Sequence, residues 1–375
     1  MFGPTSLYLS ARDNDDLGLL AAAAAVAVMF AGTPFVLDDV ARSYGVSLGA
    51  AGLIATAQVA GFAITTFVAG RRFRTSHRFL VWGALVAAAF NGLSAMAPTF
   101  PILLAARTVA GAGAGLLVWL SWAKAMRSSL QLRSVAAVGP FTILVFAPIL
   151  SWTAEAGGAS AVFWLTGAVF LPVLGLPASF SGFRLNRSSL SPSRSNVVLV
   201  FTLGIMTLSA NGLWVYAVVI GEQLVGLSPF VVSLAFSGNA LAGFIAARIP
   251  AKAIPPRVWL FGIALAAAAV AYGNNPFLYL SGVVSWGFFF WMATPAILRS
   301  IAVWSVAPEE RVGDAQSAMA VGRAVGPAVA GMIVGDGAFG TLGAFSVTGI
   351  LLAAFMAYGV SNYRRTRVPP QERMR

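Results

Sequence analysis

Residues 107–119 read RTVAGAGAGLLVW, and the meaning of the first letter decides what kind of molecule this is. After Arg107 no charge appears until Lys124, and Gly111, Gly113 and Gly115 punctuate an otherwise apolar run. In a bilayer, an arginine at a helix centre costs about 2.5–3.5 kcal/mol on insertion scales, so it must face protein or water. Arg107, Gly111 and Gly115 are spaced i, i+4, i+8 and share one helix face, where glycines admit a close neighbour. If the helix enters at Pro101, Arg107 lies about 9 Å inside it at 1.5 Å per residue.

The surroundings choose the bilayer. Of 375 residues, 58% are hydrophobic and 10% charged, with mean hydropathy +0.83. Soluble domains carry about 25% charged residues. A membrane-crossing helix needs about 17–25 apolar residues. Twelve stretches qualify: 17–37, 48–69, 79–97, 101–122, 135–154, 160–178, 197–220, 229–247, 257–273, 276–298, 314–334 and 341–361. The ninth is the shortest. The expected class is an all-α polytopic membrane protein with short connections and no soluble domain. Asp13, Asp15 and Asp16 flank the first stretch where a signal peptide would be basic, so it reads as an uncleaved helix. The chain has no cysteine, which excludes disulfides, thiolate metal sites and cysteine nucleophiles. Its single histidine, His77, sits in a basic loop, so neither a metal nor a cofactor is expected.

The net charge of +12 would suggest nucleic acid in a soluble protein, but its position along the chain argues otherwise. With loops assigned alternately from a cytoplasmic N-terminus, 21 of the 24 basic residues fall on the inner side. Arg42 is outside, and Arg107 and Arg323 lie within spans. This is the positive-inside pattern of a multi-pass protein of the cell (inner) membrane with both termini cytoplasmic. The basicity is topological, and no nucleic acid partner is implied.

Internal matches recur near half the chain length. AVGP stands at 137–140 and 324–327; GVS at 45–47 faces GLS at 226–228; AGF occurs at 60–62 and 242–244. Their offsets of 187, 181 and 182 align the second span with the eighth and the fifth with the eleventh. Ser47 and Ser228 suit helix N-caps, the latter followed by Pro229 at the first helical position. The serine-rich, basic segment 181–196 reads as a cytoplasmic linker between six-helix units at 1–180 and 197–375.

This layout resembles the major facilitator superfamily of secondary transporters, in which solutes bind near the midplane between repeats. Arg107 with Gly111, Gly113 and Gly115 reproduces its fourth-helix pattern, and Gly139-Pro140 resembles its fifth-helix element. VLDDVARSYGVSLGAAGLI (36–54) looks like its passage from the first helix to the second. One motif departs. GRRFR (70–74) keeps basic residues such as Arg71 but has Gly70 where the family's loop aspartate stands, and Ala247 precedes Arg248 in the second half. The resemblance implies a transporter rather than an enzyme, with small solutes, and protons where coupled, as partners besides lipid, acting as a monomer.

Candidate chemistry is sparse. Arg107 serves proton coupling or gating on one reading and an interhelix hydrogen bond on the other. Arg323 precedes Gly326-Pro327 by three residues, with no acid at helical spacing. It is either interior or, if its helix starts late, snorkelling at the inner interface. Among twelve acidic residues none is central to a span. Asp38, Asp39, Glu155 and Asp336 read as solvated, and Glu309, Glu310 and Asp314 lie near the inner start of the eleventh span. Glu222, at the outer end of the seventh, is the best-placed proton carrier, against a plain solvated helix end. Asn211, Trp214, Trp286 and Gln58 are the remaining substrate-site candidates, each with a packing role as its alternative. Two arginines without a carboxylate at matching depth favour an anionic solute, since unpaired charge at low dielectric is costly. The alternatives are an efflux pump for neutral or cationic amphiphiles and a non-transporting sensor or assembly factor. No phosphate-binding G-K-S/T motif occurs, so ATP hydrolysis is not expected to drive it.

Overall fold

The computed structural model describes residues 17–125, 129–178, 180, 193–249, 254–305, 308–335 and 337–367, and within them every regular element is helical. Ten helices are long and apolar enough to cross a membrane. One of them, within Ser129–Ala168, turns back at Gly157 (φ −149°, ψ 18°) and Gly158 (φ 63°, ψ −161°), and so supplies two crossings. Gly158 needs the left-handed region, and a side chain there would strike the Asp39 carboxylate. Pro256–Tyr272 is a shorter apolar helix, matching the short ninth stretch. The chain is a multi-pass membrane protein with twelve crossings.

Local signals set the starts. Ser47 accepts from Ala50 N at 3.1 Å and Ser228 from Val231 N at 3.4 Å, with Pro229 next, as the repeated GVS/GLS motif requires. Asn275 caps Pro276–Val303 by accepting from Leu278 N at 2.9 Å. The first crossing ends in Gly45 at φ 62°, a left-handed cap. The eleventh crossing is a continuous helix from Pro308 to Val334. It does not start late, so Arg323 stands mid-helix, about 15 Å beyond Gly313.

Crossings one to six pack against one another, as do seven to twelve. Without water to expel between helices in lipid, close packing must bring them together, and small residues allow it. A methyl on Gly111 would run into the Gln58 carbonyl, and one on Gly61 into that of Thr108, so the second and fourth crossings touch backbone to backbone. Gly113 faces Gly83 and Ala87 of the third crossing, and Gly115 faces Phe62. The two groups meet where the second crossing lies on the eleventh and the fifth on the eighth. Leu17 and the end of the Phe339–Arg367 helix share one end of the bundle, here the terminal end; the other is the far end.

Candidate functional site

Arg107 is 1% exposed and enclosed by four other crossings. Its Nη1 donates to Asn91 Oδ1 at 2.6 Å and its Nη2 to Gln58 Oε1. Gln58 Oε1 also accepts from Thr33 Oγ1 at 3.3 Å, and Asn91 Oδ1 from Thr166 Oγ1 at 3.1 Å. Phe163 lies under the guanidinium, 4.8 Å from ring centroid to Cζ. The Asn91 amide is held in turn by Ala87 O at 2.7 Å and Met29 Sδ at 3.3 Å. This network holds a buried cation with neutral acceptors, and no carboxylate of the described residues takes part. Arg107 Nε and Gln58 Nε2 keep no partner. In this state Arg107 is therefore an interhelix tie, closed to any solute. Thr33, Asn91 and Thr166 complete it, and sequence reasoning passed over all three; Asn91, a lone amide in AAAFNGLSA, was the available signal.

Arg323 is different. It is half-buried, mid-helix, and shows no hydrogen bond or ion pair with any described residue. Its neighbours Gly322 and Gly326 press on the seventh crossing at Gly204, Thr207 and Leu208. Asn211, half-buried on that crossing, donates to Thr207 O at 3.0 Å and keeps its oxygen free of any recorded bond. Trp214 stands one turn further on, with ring centroids 4.7 Å from Phe236 and 5.4 Å from Trp286. Phe35 of the first crossing meets Phe236 at 5.3 Å, so the aromatic group bridges the two six-helix groups. Trp286 is buried within this group, while Trp214 remains half-buried.

Of the remaining candidates, Gly139 has only Ala27 within reach, and Pro140 is buried in the fifth crossing. Arg71 lies over the Phe67 ring at 3.0 Å on the terminal side, as Arg248 does over Phe244 at 3.6 Å. Arg311 pairs with Asp314 at 2.7 Å. Asp336 and the side chains of Glu309 and Glu310 lie outside the described residues, as does most of the 181–196 linker.

At the far end, beyond the Arg194–Val215 helix, a π-helical turn Ile220–Leu224 carries Glu222. Gly221 packs on the Tyr279 ring, and Tyr279 Oη donates to Ala217 O at 2.6 Å, which anchors the turn. Burial, then the nearby Asp38 and Glu155, push the Glu222 carboxyl up from 4.5 to about 7. Gln223 Nε2 donates to Asp38 Oδ1 at 2.9 Å across the two groups, and Arg42 pairs with Asp38 at 3.2 Å and reaches Asp39 at 3.8 Å. Asp39 is not merely solvated: its Oδ2 accepts from Ala159 N at 2.6 Å and caps the sixth crossing. A cleft of about 580 Å³ beside it is lined by Ser43, Tyr44, Ser94 and Ser160, and three of these hydroxyls are spent on backbone carbonyls, Tyr44 on Ala97, Ser94 on Phe90 and Ser160 on Ala95.

Solved structures repeat this arrangement of crossings. A bacterial homologue of the human lysosomal transporter Spinster superposes with TM-score 0.74 at 14% identity, over 96% of this chain and 99% of that one. It has the major facilitator fold. A bacterial homologue of the human drug peptide transporters PepT1 and PepT2 gives TM-score 0.69 at 12% identity, covering 96% and 100%. The human organic anion transporter MFSD10 gives 0.65 at 16%, covering 92% and 98%. By sequence, no family model and no curated protein matches. The fold thus persists where sequence likeness has almost gone, which fits a scaffold defined by span count and glycine-mediated packing.

Proposed function

We propose that this protein is a secondary active transporter that moves a small organic anion by alternating access, coupled to protons through Glu222. One observation carries the substrate class: Arg323 stands mid-span, half-buried, with no recorded partner among the described residues, whereas Arg107 is occupied. A carboxylate-bearing solute supplies the missing partner, with paired donors from the guanidinium. Asn211 and Trp214, on the neighbouring seventh crossing, are assigned its polar and apolar flanks. That a protein of the same fold is a human organic anion transporter is consistent with this reading. The six-helix units 1–180 and 197–375 are taken as the moving bodies, joined by the 181–196 linker.

The terminal end is assigned to the cytoplasm on the distribution of basic residues. The units are hydrogen-bonded to each other at the far end, through Gly49 and Gly335 and through Gln223 and Asp38, and on that ground the state described is read as closed toward the outside. Burial first, then Asp38 and Glu155 of the other unit, favour the protonated form of Glu222 there up to about pH 7; Arg42 is shared between Asp38 and Asp39, and Tyr279 offers no charge. Opening hydrates Glu222 and separates it from those two carboxylates, releasing the proton.

The test is binding and uptake in proteoliposomes. Arg323→Lys keeps the charge but loses the paired donors, and is expected to weaken anion binding about tenfold; Arg323→Gln is expected to weaken it further. Tight binding of a cation, unchanged in Arg323→Gln, decides for an efflux pump of cationic amphiphiles. Glu222→Gln is expected to abolish accumulation driven by a pH gradient while leaving counterflow exchange, which needs no net proton movement.

A further inference from the structure

At the far end the two units meet through the Gln223–Asp38 hydrogen bond and, beside it, through main chain. Gly49 N, at the start of the second crossing, donates to Gly335 O at 3.1 Å, a main-chain bond between units. A methyl on Gly49 would run into the Gly331 carbonyl, and a methyl on Gly331 into that of Gly49. Tyr216 Oη donates to the Gly49 carbonyl at 3.3 Å and fills the space that a Gly52 side chain would need. Three glycines from two units thus make a contact in which no added carbon fits. Within a unit, Gly111 on Gln58 packs two helices of one bundle backbone to backbone. Between units that must separate, the same chemistry has another meaning.

We propose that Gly49, Gly52 and Gly331, with Tyr216, form a main-chain latch whose fit sets how firmly the far end closes, so that adding one methyl there favours the state open at that end. The inference rests on the alternating-access reading above, because only a molecule with a second state can relieve the clash by separating. In a rigid bundle the methyl has nowhere to go, and overpacking is simply destabilising.

The chain lacks cysteine, so a single reporter suffices. Thr56 is one turn beyond Gly52 on the same helix face, and its buried Oγ1 has no partner, so Thr56→Cys is a near-isosteric exchange. An impermeant maleimide is applied to right-side-out and inside-out vesicles, so that only the far side is reached in one of them. From the far side the reporter is expected to react slowly. In Gly49→Ala or Gly331→Ala the rate is expected to rise about tenfold or more. Gly340→Ala, where a methyl meets open space, is expected to change nothing. Folded Gly49→Ala and Gly331→Ala proteins with unaltered labelling overturn the latch. So does failure of both to fold, because a contact that is broken in one functional state must be dispensable to folding. Uptake is read on the same vesicles. Transport by the reporter protein without any rise in labelling sinks the latch and spares the transporter. A rise in labelling in a chain that moves no solute supports the latch and the second, open state it needs, and overturns only solute movement as the use of that opening.

Discussion

The two six-helix units share a frame and solve its interior in opposite ways. Gly111 lies on the Gln58 carbonyl in the first, and Gly287 on the Asn239 carbonyl in the second, 176 and 181 residues further along. Gly83 faces Gly113 and Leu117; its counterpart Gly262 faces Phe289. Gly115 accepts Phe62, whereas Trp291 covers Gly243, so the large and small partners have changed sides. In this register Arg107 corresponds to Val283 and Asn91 to Val270, both fully buried. Where the first unit bonds a guanidinium to two amide oxygens, each braced by a threonine hydroxyl, the described residues of the second offer at that point Asn239 Nδ2 donating to Val283 O at 2.7 Å. The two units thus share the close backbone approach and differ in polarity. A buried charge is therefore not a requirement of the frame.

Substitutions at matched positions test this contrast between the units. The largest effect is expected from Arg107→Ala, which strips Asn91 and Gln58 of their donor and opens a cavity; about 3–5 kcal/mol should be lost in thermal unfolding in detergent. Val283→Ala at the matching point should lose about 1–2 kcal/mol. Equal losses would end the claim that the units differ in kind. Next, Asn91→Val puts the second unit's residue into the first and leaves Arg107 with one fewer acceptor, an expected cost of about 2–3 kcal/mol. Adding Arg107→Val to Asn91→Val should restore part of that loss, because the uncompensated charge is gone. A double variant less stable than Asn91→Val alone would show that the charge itself stabilises the unit.

The smallest effect concerns Glu222. Its carboxyl titrates near 7 in the closed state and near 4.5 once hydrated, so both states are protonated below about pH 4.5 and no difference arises there. Between about pH 4.5 and 7 the closed state loses stability as pH rises, and the full penalty holds above that window. Half-exposure of the group reduces it to about 1 kcal/mol. Melting curves of Glu222→Gln should therefore match the parent at pH 4.5 and lie above it at pH 8. Coincident curves at both would return Glu222 to the role of a solvated helix end.

Much of the scaffold was legible because it depends on local and periodic properties. Span length, the Ser47 and Ser228 caps, the short ninth helix and the half-length offset all follow from composition and spacing along one chain. The Arg107 face was legible too, since Gly111 and Gly115 at i+4 and i+8 meet the second crossing as their spacing implies. Its partners were not. Gln58, Asn91, Thr33 and Thr166 come from four other crossings, and a search for acids at helical spacing within one helix has no access to them. Asp39 read as solvated for a similar reason: the amide it caps is 120 residues away. Arg323 is the converse case: the lack of an acid at helical spacing already marked it in the sequence, and the structure adds that no described residue on another helix gives it a hydrogen bond or ion pair.

The reversal at Gly157-Gly158 has a consequence for biosynthesis. Two residues join the fifth and sixth crossings, leaving no loop long enough for one helix to settle in the membrane while the next waits. The pair is expected to enter the bilayer as a single hairpin. Its turn then becomes the surface on which the already inserted first helix sets Asp39 against Ala159, so the order of synthesis matches the order in which that contact can be made.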